Sequence, residues 1–157
     1  MTLVDMIQIN WKERKVPSFS GVLFADGRIV LFSGTSTYVN SKPRVFASPL
    51  ADSTLDSFLR YHDQPWSTCT EVASCISDDG EFRLVCGEGV MGSDGFVALV
   101  AHLSGRMHWV ASFGFSNPFD EVYFQDGFAH AINEYEQVWR FPMRKPEDVE
   151  ISDWVGQ

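Results

Sequence analysis

Short apolar runs rich in β-branched and aromatic residues follow one another along most of the chain, and Asp-Gly pairs stand between them. There are four such pairs, Asp26-Gly27, Asp79-Gly80, Asp94-Gly95 and Asp126-Gly127. Asp-Gly supplies the positive φ angles that a tight hairpin turn needs, so each pair nominates a hairpin. Val22-Leu23-Phe24 and residues 28–32 flank the first; residues 74–77 and 81–86 flank the second. Residues 96–103 turn at Ser104-Gly105 into residues 107–113, the most hydrophobic hairpin of the chain. Such a hairpin belongs at the centre of a sheet, covered on both faces. Residues 121–125 pair through Asp126-Gly127 with 128–133, and a last strand over 137–141 stops at Pro142, which has no N–H to give to a ladder.

One segment reads as helix. In residues 53–61, Leu55, Phe58 and Leu59 fall at i, i+3 and i+4 behind a Ser/Asp cap cluster. The run from Leu3 to Trp11 is ambiguous between helix and strand, and its β-branched and aromatic content favours a strand. The tail from Pro146 to Trp154 alternates acidic and apolar residues and reads as an edge strand or strap. The expected architecture is therefore mainly β, a single antiparallel, hairpin-rich domain over residues 1–157 with about eight to ten strands and one short helix near 53–61. A sandwich, a partly closed barrel and a propeller-like stack all fit. The turns recur at no fixed period, so a complete propeller is not supported.

Composition narrows the function classes. The chain has 157 residues, 45% of them apolar and 21% charged, which is enough to build one hydrophobic core without disulfides or metal. No stretch approaches a membrane span, and the first residues lack the basic and apolar regions of a signal peptide, so the expected location is cytoplasmic. The net charge of −9 argues against nucleic-acid and anionic-membrane partners. That charge is uneven: residues 1–60 hold seven basic and five acidic side chains, residues 61–157 five and sixteen. A field of one sign over part of a small domain speeds association with a basic partner.

The catalytic candidates are few. Cys69, Cys75 and Cys86 are an odd number at no metal-ligand spacing. A hairpin turning at Asp79-Gly80 puts Cys75 opposite Leu84 and leaves Cys86 on the diagonal, too far for a relaxed disulfide. Cys86, beside Gly87-Glu88-Gly89, is a nucleophile only if His102, His108 or His130 comes within hydrogen-bond reach. His102 and His108 stand on the two arms of one hairpin; a two-residue loop puts them on opposite faces and a three-residue loop pairs them. Gly87, Gly89, Gly92 and Gly95 make a glycine-rich loop, but no Lys-Ser/Thr follows to cradle a phosphate. No catalytic residue, metal or cofactor is assigned. What remains is an acidic surface studded with aromatic residues: Asp78, Asp79 and Glu81 in one turn, Asp120, Glu121 and Asp126 in a second group, Glu134 and Glu136 in a third, with Trp66, Tyr123, Tyr135 and Trp139 among them. If these turns converge at one end of the sheet they form a binding surface for a basic protein, through Asp78, Asp79, Glu81, Asp120, Glu121, Asp126, Glu134, Glu136, Tyr135 and Trp66.

In overall character, and in the hairpin-rich region from Phe96 to Phe141 with its Phe115-Ser116-Asn117-Pro118-Phe119 and Val138-Trp139-Arg140-Phe141-Pro142 segments, the chain resembles small acidic β-rich immunity proteins of bacterial toxin–immunity pairs. The resemblance implies a non-enzymatic inhibitor that covers the active site or substrate cleft of a cognate toxin acting in the cytoplasm. A nuclease is the favoured target, because carboxylates take the place of phosphates in a basic cleft. A β-rich adaptor that binds by strand addition and a small enzyme using Cys86 or a histidine are the alternatives.

Overall fold

A computed structural model describes residues 1–153. In chain order its elements are α1 (Leu3–Lys12), β1 (Lys15–Pro17), β2 (Gly21–Phe24), β3 (Arg28–Val39), β4 (Lys42–Thr54), α2 (Leu55–Tyr61), β5 (Trp66–Thr68), β6 (Thr70–Ile76) and β7 (Phe82–Glu88). There follow β8 (Gly95–Ala101), β9 (Met107–Phe113), β10 (Phe119–Gln125), β11 (Phe128–Asn133), β12 (Gln137–Pro142), a 3-10 turn (Pro146–Asp148) and β13 (Glu150–Asp153). A seven-stranded antiparallel sheet runs in the order β4-β3-β2-β9-β8-β7-β6, and a four-stranded one in the order β10-β11-β12-β13. The two pack face to face as a sandwich, and neither closes on itself. β1 and β5 form a small separate pair.

The hairpins at Asp26-Gly27, Asp79-Gly80 and Asp126-Gly127 form as the sequence predicts, and Cys75 stands opposite Leu84. All three cysteines are free. β8 and β9 lie at the centre of the large sheet, where every residue from Gly95 to Val100 is buried. The reason is visible in the alternation. Val22, Val30, Leu84 and Val97 point into the core between the sheets, while their neighbours Leu23, Ile29, Val85 and Phe96 point into a second core on the other face. The first core centres on Trp139, whose ring lies 5.0 Å from that of Phe113 and 5.2 Å from that of Phe119. The second is closed by α1, α2 and the β1–β5 pair through Ile7, Trp11, Leu55, Phe58 and Val16.

Residues 3–12 are a helix, not a strand. Thr2 Oγ1 accepts from the Asp5 N–H at 3.1 Å and the Asp5 carboxylate accepts from the Thr2 N–H at 3.2 Å, a capping box at the helix start. Ile7 and Trp11, one turn apart, are both buried, and this packing overrides the weak β preference of the run. Gln8 then grips the start of β9, with its amide donating to Met107 O at 2.9 Å and accepting from Met107 N at 2.8 Å. α2 forms where expected, but Thr54 is its cap, with Oγ1 accepting from Ser57 N.

Other expectations shift as well. Thirteen strands and two α-helices stand among the described residues: β4 and the short β1 and β5 add to the strands expected, and β3 and β4 run on past Phe32 as a ribbon turning at Asn40 and Ser41, both at positive φ. The ribbon's largely exposed, polar residues gave no apolar run to read. It is tied to the second sheet by Gln137, whose side chain accepts from Val45 N at 2.9 Å and donates to Val45 O at 3.1 Å. Asp94-Gly95 is not the centre of a turn; Gly95 opens β8 opposite Glu88, across the loop of residues 89–94. The turn at Asn117-Pro118 carries the chain from one sheet to the other. The tail is an edge strand over Glu150–Asp153, while Trp154 lies outside the described residues. Among the described residues no helix is long and apolar enough to cross a membrane.

Candidate functional site

Four connections, β2–β3, β6–β7, β8–β9 and β10–β11, meet at one end of the sandwich. Ala25 N donates to His108 O at 3.0 Å and His102 N to Glu81 O at 2.8 Å, which fastens the three turns of the large sheet side by side. The β10–β11 turn of the other sheet faces them across an open cleft of about 750 Å³, with Glu81 and Gly127 on its two lips. That volume falls within the ~300–1,000 Å³ range of ligand pockets. Its walls are Phe24, Phe82, Trp109, Phe128, Pro142 and Met143, with His108 and Arg144 as polar members.

The walls are held by specific contacts. Trp109 Nε1 donates to Met143 O at 2.8 Å, which locks the indole to the segment after β12. The His108 ring meets the Phe82 ring edge-on at 5.5 Å, and burial lowers the affinity of His108 for a proton. The Arg28 guanidinium lies 3.9 Å over Phe24 and that of Arg140 3.5 Å over Phe128. Both cations are tethered, Arg28 to Glu147 and Arg140 to Glu150. Arg144 lines the cleft and makes no ion pair among the described residues.

Of the predicted acidic residues, Glu81 lines this cleft, Asp78, Asp79 and Asp126 stand in the two turns that border it, and all four are exposed. Asp79 is occupied by the turn itself. Its carboxylate accepts from Ser77 Oγ at 2.6 Å and from Glu81 N at 3.0 Å, and these bonds hold its pKa below the ordinary aspartate value. Asp78, Glu81 and Asp126 remain free to meet a partner.

The rest of the predicted set does not converge there. Cys86, toward the far end of β7, donates its thiol to Phe119 O at the start of β10, so Asp120 and Glu121 lie at the opposite end of the sandwich. Glu134, Tyr135 and Glu136 form the β11–β12 turn at that same end, where Arg44 Nη1 donates to Tyr135 O. Trp66, paired with Pro17 in the small sheet, packs against the helix-side core on the other face. Trp139 is fully buried and Tyr123 stacks on His130 in the β10–β11 ladder at 4.6 Å. The acids follow the turns, and antiparallel strands send alternate turns to opposite ends.

The catalytic candidates fare differently. Cys86 is fully buried, and burial pushes its pKa up to about 12, which leaves a protonated thiol without access to a substrate. His102 and His108 lie on opposite faces of the sheet, as a two-residue loop implies, but a bulge between Leu99 and Val100 sets neither proposed register. His130 is buried between Tyr123 and Arg140 in register, and burial depresses its pKa. Among the described residues no three His, Cys, Asp or Glu side chains are placed to hold a metal ion.

The cleft aromatics were not singled out from the sequence, although a signal was present. Phe24, Phe82 and Phe128 each stand one or two residues from an Asp-Gly pair, so each hairpin end carries its own aromatic. No protein-family model matches the chain, and comparison with curated proteins and with solved structures likewise gives no match.

Proposed function

We propose that this chain is a non-enzymatic inhibitor of the immunity type, which binds a cognate bacterial toxin acting in the cytoplasm, a nuclease first among the candidates. The observation that carries the reading is the cleft: an apolar gap between two sheets with Glu81 on one lip and the exposed Asp78 and Asp126 in the turns that border it. An apolar pocket beside carboxylates suits an aromatic or aliphatic anchor of the partner flanked by Lys or Arg, which is how a few buried contacts come to dominate a protein interface. The resemblance to immunity proteins points the same way, as does the excess of negative charge in the C-terminal three-fifths of the chain.

Strand addition at a sheet edge is the less favoured binding mode. One of the two edges of the large sheet, β4, carries Pro43 and Pro49, neither of which has an N–H to give to an added strand, and Gln137 already takes the outer N–H and C=O of Val45.

The test is a tagged pull-down from the native cell with mass spectrometry, followed by expression of any stoichiometric partner alone and together with this chain. A basic partner that is toxic alone, silenced by this chain, and no longer silenced when Asp78 and Glu81 are both changed to Lys supports the reading. Absence of a stoichiometric partner, or a partner whose toxicity is unaffected, overturns it.

A further inference from the structure

On the helix side of the large sheet a second hollow, of about 200 Å³, opens between the end of α1 and the β8–β9 turn. Its polar lining is Lys12, Arg14, Arg83, His102 and Ser104, over a floor that includes Trp11. No carboxylate lines it. In a chain of net charge −9 with only 12 basic side chains, three of these cations border one small hollow.

The fold brings them together from distant parts of the sequence. Arg14 follows the helix at a positive φ of 54°, which turns its side chain back over the Trp11 ring at 4.4 Å, where Nη1 donates to Trp11 O at 3.2 Å. Arg83 comes from β7. A single carboxylate, Glu71, spans both guanidiniums, at 3.0 Å from Arg14 Nη2 and 3.2 Å from Arg83 Nη2. It neutralises one charge of the two, and the remaining protein bonds of Arg83 run from Nη2 alone, to Ser74 Oγ. Its Nε and Nη1 have no protein acceptor among the described residues. Lys12 makes no ion pair there either. His102 Nδ1 is buried with no hydrogen-bond partner, a polar atom left unsatisfied at the wall of the same hollow. That atom is closed off from solvent, so it is the rest of the ring that lines the hollow.

We infer that this hollow binds a dianionic phosphate group, free or as the monoester of a small alcohol, between Lys12, Arg83 and His102. The planar guanidinium forks and the ammonium match phosphate oxygens in charge and geometry. The hollow lies below the ~300 Å³ at which pockets for drug-sized ligands begin, which limits the occupant to a phosphate and a short attached group. A nucleic acid is a poor fit, because a long polyanion would feel the acids of the whole molecule. A small anion within a screening length of roughly 8 Å feels the three cations first. The site is independent of the cleft, which lies on the opposite face.

The test is NMR titration of the full chain, isotope-labelled, with inorganic phosphate and in a second series with glycerol phosphate, at constant ionic strength made up with chloride. The expected result is saturable shifts of the His102 ring and the Ser104 and Gly105 amides, with those of His62 unmoved. Tighter binding of glycerol phosphate assigns the monoester, and equal or weaker binding assigns free phosphate. Arg83→Gln should weaken binding roughly tenfold, the loss of a charge-assisted bond. If that variant does not fold after Glu71 loses a partner, Lys12→Gln, which breaks no ion pair, should still weaken it severalfold. Shifts that never saturate, that chloride reproduces, or that both substitutions leave unchanged overturn the proposal.

Discussion

On one face of the seven-stranded sheet the aromatic side chains of three hairpin ends meet the second sheet only in part and leave a cleft of about 750 Å³; on the other, α1 and the small sheet seal the core and leave a hollow of about 200 Å³. The difference follows from what covers each face. Two twisted sheets diverge at their ends, so the turns there splay apart and expose the last aromatics of each strand. A helix laid on a sheet follows the twist and fills the gap with its own side chains, here Ile7 and Trp11. The charge differs too. Acidic turns rim the cleft, whereas the helix side gathers cations. On the readings proposed above, the two faces of one sheet take different partners, a protein on one and a small anion on the other.

The largest effect is expected at the core between the two sheets. Trp139→Ala removes the fully buried ring on which Phe113, Phe119 and Phe141 pack, and should cost about 3–5 kcal/mol in unfolding free energy by urea denaturation. A cost under about 1 kcal/mol would mean that the sheet-to-sheet core does not hold the sandwich together. A second change sharpens the functional half. Replacing Asp78 and Glu81 by Lys should slow association with a basic partner by about tenfold at low salt, less as salt rises, with the urea midpoint unchanged. Asp126 sits at a positive φ of 54°, so Asp126→Asn, which tolerates that conformation, is the safer way to remove its charge.

Smaller effects come from the helix face. Thr2→Ala should cost about 1 kcal/mol by removing half of the capping box, and should leave partner binding at the cleft unaffected. The smallest effect expected is a pH dependence. Burial holds the His130 pKa below its ordinary 6.5, so in acid the unfolded state binds the proton that the folded state resists. Stability should therefore fall as pH drops through 6.5, and the fall should be shallower in His130→Phe, by thermal melts at a series of pH values.

The sequence carried the sheet well and its surroundings less well. Three Asp-Gly turns, the central β8–β9 hairpin, the Cys75–Leu84 pairing and the α2 helix were all legible, because turn chemistry and a period of two are local signals. α1 was not, since its few buried residues do not outweigh a β-prone composition until the capping box and Gln8's grip on Met107 are seen. The β3–β4 ribbon was invisible for the opposite reason: it is held by Gln137 and Arg44 contacts to residues some 90 positions or more away rather than by an apolar pattern of its own. The acidic residues of the proposed surface were named correctly as exposed, but which of them share an end depends on strand direction. That choice separates Asp78, Glu81 and Asp126 from Asp120, Glu121, Glu134 and Glu136.

The most direct test of the account is hydrogen exchange on this chain, alone and with its captured partner bound. The account predicts slowed exchange in residues 77–82, 106–109 and 126–128, around the cleft, and none in the β11–β12 turn. Protection confined to residues 134–136 and 118–121 would contradict it, and would move the interface to the other end of the sandwich.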